Sequence, residues 1–256
     1  MSLRILITND DGVDAPGIKV MEAIARELTD DVWVVAPDGN QSGASHRFTF
    51  GRELELIPRG EGIFAVAGGS PADCVVAGMT HLCRDHLPDL VLSGVNNGQN
   101  VGDIINCSGT AAGAREGTLQ GALGIAFSQG VDYEQGRELD FANSRKYGAA
   151  VVRSILAHAE GRDTWFNVNL PFCPPAEVKG IEVVAAQRFS RSPMRHYPSD
   201  NPGKFFIAIP ETPHPIAPDR DFHTLLHGNA ITVTPVRLDL TDAGTLERLR
   251  GRLALG

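Results

Sequence analysis

The sequence predicts an α/β fold: a doubly wound, mainly parallel sheet with a C-terminal β-hairpin arm and a terminal helix. Three observations carry that prediction. Short apolar runs alternate with helix-period segments through the first part of the chain, with brief connections between them. The polar, glycine-rich stretches "NDDG", "DGNQSGASH" and "NNGQNVGD" each follow an apolar run. Beyond residue 180 the pattern changes to short strand-like runs separated by proline-rich turns.

Taken in order, "LRILIT" (Leu3–Thr8) is a run of Ile and Leu suited to a strand buried on both faces. "APGIKVMEAIAREL" follows, with Ile18, Met21, Ile24, Ala25 and Leu28 at helical spacing and Pro16 near the first turn. Asp14 reads as a helix-start acid. "VWVVAP" (Val32–Pro37) is a second buried strand. "SPADCVVAGMTHLC" opens a helix with Ser70 as N-cap and Pro71 at the first helical position. "PDLVLSG" (Pro88–Gly94) is a strand, Ser108–Ala122 an alanine-rich helix, "GIAFS" (Gly124–Ser128) a strand and Phe141–Ala159 a helix. "WFNVNLP" (Trp165–Pro171) fits the same sheet. "IEVVAAQRF", "KFFIAIP" and "AITVTPV" read as an appended β-rich segment, and "TDAGTLERLRGRLA" as a short closing helix. The expectation is a single domain over 1–256, with 1–170 as its core and 180–256 as a β-rich arm and C-terminal element. Such arms mediate oligomer contacts through exposed edges or swapping.

The chain's 256 residues, 42% hydrophobic and 21% charged, suffice for a sizeable core. A net charge of −8 without a dense Lys/Arg block disfavours nucleic-acid polymers and anionic membranes as partners. No apolar segment approaches the roughly 20 residues a bilayer requires. The opening Met1–Leu6 enters a strand directly, with no targeting pattern. Cys74, Cys83, Cys107 and Cys173 are widely spaced and form no CxxC, which suits free thiols in a reducing compartment. A cytoplasmic location is expected.

Strand ends followed by glycine-rich loops place ligands in the crevice beyond the sheet's carboxyl edge. Asp10 and Asp11 stand there side by side. Adjacent carboxylates repel, and a cation between them removes that repulsion; turn and cap roles are the structural alternative. Mg²⁺ or Mn²⁺ takes carboxylate, amide-carbonyl and hydroxyl oxygens, which Asp10, Asp11, Ser42 and Asn96 offer. "SGVNNGQNVGDIINCSGTAAGA" (Ser93–Ala114) leads into Ser108, Gly109 and Thr110 at a helix start, a ready anion site. It matches neither the Walker pattern nor a dinucleotide fingerprint. A metal site beside a phosphate site suits metal-assisted phosphate-ester hydrolysis.

Together, "ILITNDDGVDAPGI", "VVAPDGNQSGAS", "SGVNNGQNVGD…SGTAAGA" and "AITVTPV", in that order, closely resemble the SurE family of survival-protein nucleotidases, most strongly over residues 4–128. The resemblance implies a Rossmann-like domain with a protruding hairpin and a swapped C-terminal element, in homodimers or homotetramers. It implies metal-dependent dephosphorylation of nucleoside 5′- or 3′-monophosphates, sometimes extending to short polyphosphate. Carried over by position, one divalent ion per subunit falls on Asp10, Asp11, Ser42 and Asn96, and phosphate contacts fall at Asn100, Ser108, Gly109 and Thr110. Asp10 would also handle the attacking water, as base or by holding it on the metal. Cys107 stands where the family usually has tyrosine, and Ile104 where it often has an acid. That keeps a weakly active or non-catalytic nucleotide binder as the alternative.

His46 is a candidate for touching substrate or for protonating the leaving oxygen, against a solvated loop role. Cys107 precedes a helix N-terminus, which lowers a thiol pKa, but a small packing residue is the preferred reading over a reactive thiol. Arg188, Arg191 and Arg195 form the one local basic cluster and could reach phosphate or pair with surface acids. His223 and His227 share a helical face but lack the glutamate of a zinc-protease motif.

Overall fold

The computed structural model describes residues 2–131, 140–209 and 215–253. In chain order its strands are β1 (Ile5–Thr8), β2 (Val32–Pro37), β3 (Glu55–Gly60), β4 (Ile63–Ala67), β5 (Leu90–Asn97), β6 (Leu123–Gln129), β7 (Thr164–Leu170), β8 (Ile181–Val183), β9 (Arg195–Pro198), β10 (Phe205–Ala208) and β11 (Ile231–Arg237). The α-helices are α1 (Pro16–Arg26), α2 (Pro71–Ala77), α3 (Gly109–Leu119), α4 (Ala142–His158), α5 (Asp221–Gly228) and α6 (Ala243–Leu249).

Nine strands form one sheet in the order β3-β4-β2-β1-β5-β6-β7-β11-β8. Its centre is parallel from β4 through β7, and β3 and β11 pair antiparallel with β4 and β7. Helices α1 and α4 cover one face, where Ile5, Ile7, Met21, Ile24 and Val152 are buried together. The opposite face buries Leu6, Val35 and Val91 with Cys74, Val75 and Met79. Alternate residues of β1 thus go to opposite cores, which is why the run is apolar throughout.

Two expectations are corrected. "IEVV" and "AITVTPV" are not arm strands: β8 and β11 extend the main sheet, β11 pairing with β7 from Thr232–Asn169 to Arg237–Thr164. Among the described residues, only β9 and β10 form a separate antiparallel pair. The hairpin β3–β4 had no counterpart in the sequence reading; β3 is a largely exposed edge carrying Pro58. Pro210 and Ala254, placed at the ends of the predicted "KFFIAIP" strand and closing helix, lie outside the described residues.

The helices bear out their start signals unevenly. Ser70 caps α2 in a full capping box with Asp73, followed by Pro71 and then a π-helical turn over Gly78–Leu82. Pro16 opens α1, but the N-cap is Ala15, and Asp14 lies exposed one residue ahead of it. Ser108 caps α3 by accepting from the Ala111 N–H at 3.0 Å.

Helix α3 lies unusually close to the sheet. A Cβ on Gly113 would meet Ser93 Oγ at 2.6 Å and Thr8 Cγ2 at 2.7 Å. One on Gly117 would meet Val91 Cβ at 2.5 Å. Glycines at intervals of four bring the helix axis down onto β1 and β5, and that descent carries its first turn to the end of β1.

Candidate active site

The carboxyl ends of β2, β1 and β5 are neighbours, so the three glycine-rich loops meet over one edge. Asn9, buried at the end of β1, brackets the turn that follows. Its Nδ2 donates to the Gly12 carbonyl at 2.9 Å, and its Oδ1 accepts from the Gly12 N–H at 3.1 Å. Gly12 has φ +108°, a conformation open to glycine. This closed turn presents Asp10 and Asp11 side by side.

Asp10 is buried, and its Oδ1 accepts from the Thr110 hydroxyl at 2.6 Å. Gly109 must lack a side chain here: a Cβ would lie 2.7 Å from Asp10 Cβ and 2.9 Å from its Oδ2. Burial pushes the Asp10 carboxyl up, against the Thr110 hydroxyl and the backbone N–H groups at the start of α3. Asp11 is half-buried and accepts from the Asn97 N–H at 3.3 Å. Burial, and then the neighbouring Asp10 charge, push it up to about 6.

Ser42 and Asn96 reach the acids through their neighbours in sequence. The Gln41 N–H donates to the Asp10 carbonyl at 2.7 Å, which seats the Ser42 loop beside β1. Asn96 precedes the residue that donates to Asp11. Its Nδ2 is spent on the Gly98 carbonyl at 2.8 Å, so the amide oxygen is the free end. Ser42 is exposed, with its N–H tied to Asn40 Oδ1 at 2.7 Å. Among the described residues no three His, Cys, Asp or Glu side chains gather as a metal-binding group. Two adjacent carboxylates that burial disfavours as ions, Asp11 also by the Asp10 charge, on segments that contact the loops carrying the Ser42 hydroxyl and the Asn96 amide, form a donor set that fits a hard divalent cation.

Asn100 is placed differently. Its N–H donates to Asn169 Oδ1 at 2.8 Å, its Nδ2 to Ser128 Oγ at 3.0 Å, and its carbonyl accepts from Asn167 and Asn169. It ties the loop after β5 to β6 and β7, with one of its two amide hydrogens given to Ser128. Asn167 and Asn169 were missed by sequence reasoning, although two asparagines alternating along a buried strand are a signal. Asp221, also missed, anchors the same loop by accepting from Gly102 N–H at 2.8 Å while holding Gln187 N–H at 2.7 Å.

A cleft of about 90 Å³ runs alongside the start of α3, with Ser45, His46, Asn106, Ser108, Arg115 and Arg237 in its walls. Ser45 Oγ donates to the Asn106 carbonyl at 2.7 Å, and its N–H reaches the Cys107 carbonyl at 3.2 Å. His46 Nε2 lies 2.9 Å from Oε2 of Glu116, a buried acid on α3. Cys107 fits the packing reading and not the reactive one: partial burial raises the thiol, and Sγ points to the Ile104 carbonyl at 3.1 Å. The basic cluster turns to local partners, Arg188 to Asp103 and Arg195 to the Met194 carbonyl at 2.8 Å. His223 and His227 pack edge to face on α5, with ring centroids 5.0 Å apart.

Comparison with known proteins bears on the family and the fold. The family model described as "Survival protein SurE" matches residues 5–192. The 5′-nucleotidase SurE of Methylorubrum populi is 44% identical over 250 residues, covering 96% of this chain and 97% of its own. That of Afipia carboxidovorans is 42% identical over 252 residues, with the same coverage of both chains. The crystal structure of the SurE protein from Aquifex aeolicus superposes with a TM-score of 0.84 at 33% identity, covering 96% of this chain and 98% of that one. A family match across most of the chain, near-complete relatives and a shared fold lead to one conclusion: the chain belongs to the SurE family.

Proposed function

We propose that this protein is a metal-dependent phosphomonoesterase that hydrolyses nucleoside 5′-monophosphates, with 3′-monophosphates and short polyphosphate as further candidates. The observation that carries this reading is the Asp10–Asp11 pair, closed by Thr110 and Gly109 and set at the sheet edge in a chain whose relatives are named 5′-nucleotidases. Asp10, Asp11, Ser42 Oγ and Asn96 Oδ1 would hold one Mg²⁺ or Mn²⁺ per subunit. When bound, the ion supplies Lewis-acid stabilisation of phosphoryl charge and activates water.

The chain's own residues do the rest. The Ser108 hydroxyl, with the N–H groups of Gly109 and Thr110 that also face Asp10, would orient the phosphate at the positive end of α3. Thr110 fixes Asp10 by one oxygen, leaving the other to take the attacking water's proton. Asn100 serves by rigidifying the loop, and the second hydrogen of its Nδ2, beside the one given to Ser128, is the donor that a phosphate contact would use.

A homodimer or homotetramer is part of the proposal. What supports it is exposed apolar surface outside the core: Phe205, Phe206 and Ile207 on β10, and Leu246 and Leu249 on α6. Four free thiols among the described residues support a reducing, cytoplasmic setting. No helix of the described residues is long and apolar enough to cross a membrane.

The test is phosphate release from a panel of nucleoside monophosphates and p-nitrophenyl phosphate with Mn²⁺, Mg²⁺ or EDTA, beside Asp11→Ala. Release that requires metal and vanishes in the variant is expected. Folded protein that binds the ion and releases no phosphate would leave a nucleotide binder instead.

A further inference from the structure

Hydrolysis of a nucleoside monophosphate expels an alkoxide, a poor leaving group that needs a proton as the P–O bond breaks. None of the residues assigned above supplies one. Asp10 and Asp11 face the ion and water side, and Ser108–Thr110 are donors to phosphate oxygens. The cleft beside Ser108 holds one side chain suited to the task.

We propose that His46, held by Glu116, is the general acid that protonates the leaving oxygen of the nucleoside; this assignment rests on the phosphatase reading above. Glu116 is 4% exposed in the middle of α3, and few carboxylates among the described residues are buried so deeply. Its Oε2 meets His46 Nε2 at 2.9 Å, and its Oε1 accepts from Gln120 Nε2 at 2.7 Å. The imidazole also rests against Phe48, with ring centroids 5.5 Å apart. One nitrogen and one face are therefore fixed. Nδ1 has no hydrogen-bond partner among the described residues, in a side chain that walls the same cleft as Ser108.

A carboxylate behind one imidazole nitrogen sets the ring's orientation and compensates the charge it carries when the other nitrogen is protonated. Burial of Glu116 keeps that carboxylate from turning to solvent. The other charged groups facing the cleft are Arg115 and Arg237, both suited to holding an anionic substrate nearby. Ser45, next to His46, is bonded to Asn106 and Cys107, so the loop bearing the ring is joined to the segment that leads into α3.

In the step itself, the bond from phosphorus to the nucleoside oxygen breaks and its electron pair stays on that oxygen. The proton on His46 Nδ1 moves to it, giving the free nucleoside. Phosphorus gains the oxygen of water, whose proton passes to Asp10; Asp10 then releases it to solvent, and His46 is reprotonated from solvent.

The experiment compares leaving groups. p-Nitrophenolate departs without a proton, whereas a nucleoside alkoxide does not. His46→Gln should lower kcat on a nucleoside 5′-monophosphate at least about a hundredfold, and keep turnover of p-nitrophenyl phosphate within the same order of magnitude. Glu116→Gln, which preserves volume and a hydrogen bond, should shift selectivity in the same sense by less. Equal loss on both substrates, or no loss on either, would overturn the assignment. Wild-type protein gives a check free of folding effects: across substituted phenyl phosphates, kcat should depend only weakly on the leaving group's acidity, and a steep dependence would also overturn it. Absence of release by wild type from every substrate in every metal would instead remove the phosphatase reading, and this assignment with it.

Discussion

Asn in place of Asp11 should make the metal-free protein more stable while abolishing its response to metal. Asp11 moves from an ordinary 3.8 to about 6 because it is half-buried and faces the Asp10 charge. At 1.36 kcal/mol for each pKa unit, keeping it ionised costs the fold roughly 3 kcal/mol before screening. Its partial exposure to water reduces this to about 1–2 kcal/mol. The sign follows from proton binding: between pH 4 and 6 the native state holds this proton more tightly than the unfolded chain, so stability falls as pH rises. The cost is fully present above the folded value and absent below the unfolded one. Asp11→Asn removes it and keeps an oxygen to accept from Asn97. In EDTA at pH 8, the variant's Tm should rise by about 2–8 °C, taking 2–4 °C per kcal/mol for a chain of this size. At pH 5 about half of that gain should remain. Wild type at a hundred times its metal Kd should gain about 2.7 kcal/mol, and the variant far less. Differential scanning fluorimetry with and without Mn²⁺ at both pH values measures all of this. A variant that is less stable than wild type at pH 8 without metal, or that responds to Mn²⁺ as wild type does, would refute the reasoning.

The same site predicts a strong effect from a single methyl group. Gly109→Ala places a Cβ 2.7 Å from Asp10 Cβ, so it should destabilise by about 1–3 kcal/mol and displace Asp10, with kcat falling more than the Tm loss explains; unchanged kcat/KM would contradict the close approach. Away from the site, Phe206 on β10 is 63% exposed. Phe206→Ser should lower the association state seen by sedimentation velocity without lowering Tm in dilute solution, and an unchanged distribution would remove β10 from the contact.

How much of this could be read from the sequence depended on whether a residue's partner was local. The central strands declared themselves because Ile5–Thr8 and Val32–Pro37 are buried on both faces. The loop convergence followed, since β2, β1 and β5 are adjacent. The signals that failed were long-range. Nothing within "AITVTPV" says that it pairs with β7, and β3 shows no clean alternation because it lies at an exposed edge. Asn9 looks like one more turn residue until its two bonds to Gly12 are seen. Glu116 sits in an alanine- and glycine-rich helix, and its partner His46 is 70 residues away. For Cys107, the helix-terminus rule gave the wrong direction because partial burial outweighed it.

The glycines of α3 have a consequence for how such an enzyme can change. Gly109, Gly113 and Gly117 set the helix's height above the sheet by what they lack. That height is a mechanical stop: no attractive contact can be strengthened to lower it, and any added atom raises it. The first turn of α3 is thereby a fixed reference against which Asp10 is positioned. Variation in substrate range has to be written in the loops that face this reference, around Ser42–Phe50 and Asn97–Cys107. A library aimed at new phosphate esters belongs in those loops, with the helix left untouched.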